Sequence, residues 1–264
     1  MAFLHPKTWV ELQDYLFAYP SDLTAPGRHR SPFAYRGLDE DYPDLKTSLM
    51  RLGGPYSVLE PAILRNFQKY AEAKQDLGDS EWLWLAIAQH HGLPTRLLDW
   101  TYSPYAALHF ATADTEKFSK DGVIWCIDLI KGKKLLPSKL SDVLADQGYK
   151  FTVKLLEKAV KNLQELDKLH KKTKKGFVVF LEPPSLDERI VNQYALFSFM
   201  SHPEQLLNKW LEKYPHLYQK IIIPAALKWE IRDNLDQANI NERMLFPGLD
   251  GLCLWLKRYY SAKK

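Results

Sequence analysis

The sequence is poor in cysteine, with two in 264 residues. Cys126 in Gly122-Val-Ile-Trp-Cys-Ile-Asp128 and Cys253 in Leu252-Cys-Leu-Trp-Leu256 both lie in apolar runs and read as small buried hydrophobes. A disulfide framework, a cysteine metal cluster and a thiol nucleophile are therefore not indicated. No apolar run reaches the 18 or so residues that a bilayer span needs. The opening segment, Met1-Ala-Phe-Leu-His-Pro-Lys-Thr-Trp9, lacks the long apolar core of a secretion signal, so a cytoplasmic protein without a membrane partner is expected. A Gly-rich phosphate loop, His-Glu-x-x-His and Gly-x-Ser-x-Gly are all missing. His90 and His91 are adjacent, so on a helix they would point about 100° apart and do not easily share a metal. No metal site is expected. Gly/Ser linkers and internal repeats are also lacking, so residues 1–264 read as a single domain.

What is present is an ordinary globular composition, 46% hydrophobic and 26% charged. A chain of this length can bury roughly 70–75% of its unfolded surface. Aromatic residues are plentiful, with 8 Trp, 14 Tyr and 12 Phe, which leaves some for stacking on a ligand. Helical spacing runs from a Thr8 cap to Tyr19 and from Val58 to Lys74. Between them Pro20 to Pro32 is turn-rich and delivers the short strand ending in Tyr35-Arg36-Gly37. Asp79-Ser80-Glu81 opens a helix over Trp82 to His90 that Gly92 and Pro94 end. Thr95 to Thr101 is a strand or extended turn, and Ser103-Pro104 caps a helix running to Ala113. Val123–Leu129, Phe177–Leu181, Tyr194–Met200 and Lys220–Ile223 read as strands, and Ala225–Gln237 as a helix. Strands scattered among helices without a βαβ rhythm imply a mixed α+β fold.

The net charge of +4 is unevenly placed. Lys154 to Lys175 holds eight lysines against three acids, a local excess of five that leaves the remainder at −1. A single long helix bearing this charge is either a solvated surface or a phosphate-facing one, with Lys171, Lys172, Lys174 and Lys175 as the nucleic-acid candidates.

Three polar islands could carry chemistry. Arg96 and Asp99 lie among leucines and Trp100, where an unpaired charge is costly. They either pair with each other, or Arg96 offers its planar fork to a phosphate or carboxylate with Thr95, Thr101 and Ser103 as hydroxyl donors. Arg189 and Gln193 would share a helical face, close to Glu188. Arg36 ends a short strand, and Gly37 beside it serves either a turn or the close approach of a ligand.

These islands carry a resemblance. Tyr35-Arg36-Gly37 resembles the Phe-Arg-Gly signature of the FRG domain family. Gln89-His-His-Gly-Leu-Pro-Thr-Arg-Leu-Leu-Asp-Trp-Thr101, with Pro104, Ala107 and Phe110-Ala111, is similar to the family's central motif almost letter for letter. Asp121 to Trp125, Arg189-Ile-x-x-Gln193 with Phe197, and Leu245-Phe-Pro-Gly-Leu-Asp-Gly251 resemble its later landmarks in order. The departures are Tyr35 for Phe, Ala195 for a usual Gly and Gly248 for a usual acid. The resemblance spans about Trp9 to Leu256, with residues 151–175 as a Lys-rich helical insertion.

The FRG family is similar in strand order to the ADP-ribosyltransferase superfamily, which implies a split mixed or antiparallel sheet surrounded by helices. It further implies an NAD-dependent transferase, or an NAD-cleaving toxin or phage-defence effector, acting on nucleic acid or protein. Arg36 and Arg96 would then bind the diphosphate, with Gly37, Asp99, Thr101 and Arg189 around the ligand. Thr95 and Ser103 would hold ribose, Trp100 would stack nicotinamide, and Gln193 with Glu188 would orient the ribose. The superfamily commonly places a Glu on a late strand where this chain has Gln193. A module that binds a nucleotide or nucleic acid without turnover is therefore the alternative, and a purely structural interaction domain the third.

Overall fold

A computed structural model describes residues 2–18, 31–71, 78–145 and 147–262. Most of the expected turn-rich stretch Pro20 to Pro32, the Tyr19 end of the first helix and residues 72–74 of the second lie outside the described residues. One mixed sheet runs through the rest. Its strands are β1 (Ala2–Leu4), β2 (Phe33–Leu38), β3 (Leu98–Thr101), β4 (Gly122–Asp128), β5 (Phe151–Thr152), β6 (Val178–Glu182), β7 (Ala195–Met200) and β8 (Tyr218–Ile223), ordered β1-β8-β4-β2-β3-β7-β6-β5. Only the edge pairs β1·β8 and β5·β6 are parallel. The α+β expectation holds. β1 and β5 were not legible, being three and two residues long.

β4 is buried along its whole length, which suits its run of β-branched and aromatic residues at the middle of one half of the sheet. Two helix packs cover one face. The helices Trp9–Phe17, Pro104–Ala111 and Lys228–Gln237 close over Tyr35, Ile124, Cys126 and Ile221. The helices Glu81–His90, Val153–Ala159 and Leu163–Thr173 close over Val179, Leu181, Phe197 and Phe199. On the opposite face Trp100, Trp125, Phe180 and Trp210 form a third core.

The caps read from sequence are in place. Thr8, Ser80 and Ser103 each accept the N–H three residues on, and Gly92 takes φ +81° after the Glu81–His90 helix.

Two readings need correction. The lysine-rich stretch is not one long helix. Val160 adopts an extended conformation, and Asn162 caps a second helix by accepting the Glu165 N–H. Six apolar residues between Leu156 and Leu169 enter the core, so the stretch is a working part of the fold with its lysines outside. Cys253 is exposed. The helix Leu249–Tyr259 buries only Gly251 and Arg258, which leaves its cysteine and most of its leucines on the surface.

Candidate functional site

The two helix packs leave a gap on their shared sheet face, above β2, β3 and β7. β2 and β3 pair only through Tyr35 and Thr101, and beyond that bridge the strands part. A cleft of about 1040 Å3 opens over this parting. Its floor comes from β2, β3 and β7. Its walls come from the end of the Glu81–His90 helix, from residues 187–193 and from residues 246–254.

Arg36 fills the parting between the strands. Its Nη1 donates to the Asp99 backbone carbonyl at 2.6 Å and lies 4.0 Å from the Asp99 carboxylate. Its Nε is buried without a hydrogen-bond partner. Burial lowers its pKa against the pull of Asp99, and Arg51 adds to the lowering. Such a guanidinium gains from a further anion. The Asp99 side chain is 63% exposed to the cleft, yet it is held in place, because Gln89 Nε2 donates to both carboxylate oxygens at 2.9 and 3.0 Å.

The opposite wall is polar as well. His90 Nε2 lies 3.3 Å from the Asp187 carboxylate. Burial lowers the His90 pKa more than Asp187 raises it, so the imidazole is neutral at neutral pH and meets Asp187 as a hydrogen-bond donor. Burial works to raise the Asp187 carboxyl, but the Arg189 backbone N–H and His90 outweigh it and hold Asp187 below its usual range. Arg189 stacks its guanidinium 5.0 Å from the centre of the Phe246 ring, and Phe110 meets the same ring edge-on at 6.2 Å.

The structure brings Arg36, Gly37, Asp99, Thr101, Glu188, Arg189 and Gln193 to this cleft. Several of them have structural tasks there. Thr101 Oγ1 donates to the Gln193 carbonyl at 2.7 Å, and Gln193 Nε2 donates to the Leu245 carbonyl at 3.0 Å. The Gln193 side chain therefore ties two walls together instead of standing free for a ligand. Gly37 lies within β2 and not in a turn, and a Cβ there would lie 1.8 Å from the Ala107 carbonyl oxygen. Its role is to let β2 pack against the Pro104–Ala111 helix.

Four expected ligand contacts lie elsewhere. Arg96 pairs with Glu60 and Asp167 and not with Asp99, and it is 3% exposed. Asp99 lies within β3 on the cleft floor, while Arg96 lies in a bend before β3, where the helices bearing Glu60 and Asp167 claim it. Trp100 borders the cleft, but its indole belongs to the opposite core, where Nε1 donates to Ser198 Oγ at 2.7 Å. Thr95 is buried, its hydroxyl donating to the Gln89 amide oxygen. Ser103 is spent on its helix cap. Lys171, Lys172, Lys174 and Lys175 lie at the far end of β6 and β7. That end is about 10 Å from Phe197 and about 16 Å from Ala195, the β7 residues that line the cleft, counting about 3.3 Å per residue along β7 to Met200.

Sequence reasoning missed Asp187, Asp250 and Phe246 as cleft residues, and it quoted Gln89 and Phe110 in the motif without giving them a role at the site. Asp250 and Phe246 lay inside the Leu245–Gly251 motif, which was the available signal. Among the described residues no three His, Cys, Asp or Glu side chains converge as a metal set would.

The family model of the FRG domain matches residues 31–120. That segment holds Arg36, Gln89, His90, Asp99, Thr101 and Phe110, and so the β2 and β3 part of the cleft floor and its first wall. Residues 187–193 and 246–254, the other walls, fall beyond the matched segment. No curated protein and no solved structure matches the chain.

Proposed function

Proceeding from an FRG domain carried at residues 31–120, we propose that the cleft binds NAD and that the protein acts as an ADP-ribosyltransferase or NAD-cleaving effector. The observation that carries this reading is the pairing of a half-buried, incompletely satisfied guanidinium, Arg36, with an anchored and exposed carboxylate, Asp99, at the floor of one cleft. The volume lies at the upper end of the roughly 300–1,000 Å3 of small-molecule sites, which suits a dinucleotide.

Breaking the nicotinamide–ribose bond sends the bonding pair to nicotinamide and leaves an oxocarbenium-like sugar beside a diphosphate. That transition state calls for cations at the phosphates, an aromatic face at the base and a fixed carboxylate at the sugar. In this reading Arg36 and Arg189 take the phosphates and Phe246 with Phe110 takes a ring. Asp99, oriented by Gln89, faces the developing positive charge, and Glu188 assists at the ribose hydroxyls. A water or an acceptor nucleophile then forms the new bond to the sugar carbon and gives up its proton.

A second reading has its own support. Gln193, the residue nearest the superfamily's late-strand Glu, is an amide committed to the Leu245 carbonyl, which fits a module that binds nucleotide without turnover. Incubation of the protein with NAD and with DNA, RNA or protein acceptors, alongside calorimetry, separates the two. Nicotinamide release that Arg36→Ala and Asp99→Asn each lower by about 100-fold or more supports the transferase, since each removes a charge from the transition state. Binding without release supports the module, and neither binding nor release sinks both.

A further inference from the structure

A second concave site lies beyond the far end of β6 and β7. It is an open groove of about 560 Å3, bounded by the end of the Leu163–Thr173 helix and its following turn, by His202 to Gln205, and by Trp210 to Tyr214. We propose that this groove binds single-stranded nucleic acid, with phosphates on Lys174, Lys175 and Lys213 and a base against Tyr214.

The charge is unspent. Lys117, Lys120, Lys131, Lys150, Lys209 and Lys220, among the described residues, pair with acids. Among the described residues none of Lys171, Lys172, Lys174, Lys175 and Lys213 has an ion-pair partner; of the nearby acids Glu204 lines the groove, and Glu212 is paired with Lys209. Cations so placed form an electrostatic footprint for a phosphate chain.

The positions of these lysines are also built. Lys174 takes the left-handed conformation, φ 55°, at the helix end. Thr173 Oγ1 bonds both the His170 and Lys175 carbonyls, at 3.0 and 3.1 Å, and Trp210 Nε1 donates to the Gly176 carbonyl at 2.7 Å. The turn bearing Lys174 and Lys175 is thereby tied at both ends.

Ring faces and base-edge groups accompany the charge. Tyr214 is half-buried and tilted 49° against Trp210 at 4.8 Å, and the His170 and His202 rings lie 5.1 Å apart. His202 Nδ1 accepts the Glu204 backbone N–H at 3.3 Å, so the neutral ring carries its proton on Nε2. Gln205 Oε1 is buried without a partner against Gly176 at the groove's edge. Lysines interleaved with aromatic faces and a few edge groups are the pattern of single-strand recognition, whereas a duplex hides its base faces.

This site stands apart from the NAD reading and fails or succeeds without it. Fluorescence anisotropy with labelled single-stranded DNA and RNA oligonucleotides and a duplex of equal length, from about 50 to 200 mM salt, tests it. The expected result is tighter single-strand than duplex binding that falls steeply with salt, as phosphate contacts require. Lys174→Glu/Lys175→Glu/Lys213→Glu is expected to weaken binding at least tenfold and to flatten the log–log salt slope by about 2, at about 0.7 per contact. Tyr214→Ala is expected to lose about 5- to 10-fold through stacking alone, with the salt slope kept. Arg36→Ala should bind as the parent does. Thermal melts confirm that each variant is folded. Absence of binding at low salt, a triple variant that binds like the parent, or equal affinity for duplex and heparin would overturn the proposal.

Discussion

Glu60 and Arg96, 36 residues apart in the chain, form a buried clasp in which Arg96 Nε lies 2.8 Å from both carboxylate oxygens and Nη2 bonds one of them. The two side chains are 2% and 3% exposed. Asp99, only three residues from Arg96, is turned to the cleft instead. Two neighbouring charges thus serve different ends, one the core and one the site.

That division makes Arg96 testable as a structural residue. Glu60→Ala leaves a buried guanidinium facing only Asp167 at 3.6 Å, and a loss of about 3–5 kcal/mol in urea unfolding is expected. Glu60→Leu combined with Arg96→Met removes both charges and should recover most of that loss. Ligand affinity of the double variant, measured by calorimetry, should match the parent; a drop of tenfold or more would return Arg96 to the binding site.

Gly37→Ala is expected to be costly although alanine has the smallest side chain that could replace glycine here. The added methyl would sit 1.8 Å from the Ala107 carbonyl oxygen, which belongs to helix backbone and cannot swing away. Forced separation of strand and helix costs about 1–3 kcal/mol or more. It also shifts Arg36, so the denaturation midpoint and the ligand affinity should fall together. An unchanged midpoint would show that the strand and helix are not in close contact.

Acid should destabilise the protein through His109. This side chain is 1% exposed, and its Nδ1 faces Arg232 Nη1 at 2.8 Å, which requires a neutral, accepting ring. Burial first, then Arg232 and Arg258, hold its pKa well below the ordinary 6.5. The unfolded chain takes up a proton near 6.5 that the folded chain refuses, so this stability is present above about pH 6.5 and is lost as pH falls below it. The slope from one such group reaches at most about 1.4 kcal/mol per pH unit. Urea midpoints of the parent should fall between pH 7.5 and 5.5 by more than those of His109→Gln. Equal falls would place the acid sensitivity elsewhere.

The same network explains why the third cleft wall was hard to read. Arg232 Nη2 and Arg258 Nε both donate to Glu242 Oε1, at 2.6 and 2.7 Å, and Arg258 also grips Asp236. Four charges spread over more than twenty residues hold Phe246 and Asp250 at the cleft. No local spacing announces such a cluster, since each residue alone looks like surface. The cleft floor was easier. Arg36, Gln89, Asp99 and Thr101 lie on short strands and a helix end whose caps and glycines are local signals.

The sequence by itself determined the class of the fold, the helix caps and the compact motif from Gln89 to Thr101, because these rest on periodicity, capping chemistry and residue order. Only the tertiary structure decided which side each charge faces. Strand alternation sent Asp99 to the cleft and Trp100 to the core, and the distant Glu60 claimed Arg96. A break at Val160 folded the lysine-rich stretch back so that its charged end faces a second groove and not the first. Pairing between residues far apart in the chain depends on burial and on the low dielectric of the interior, and neither is written in local spacing.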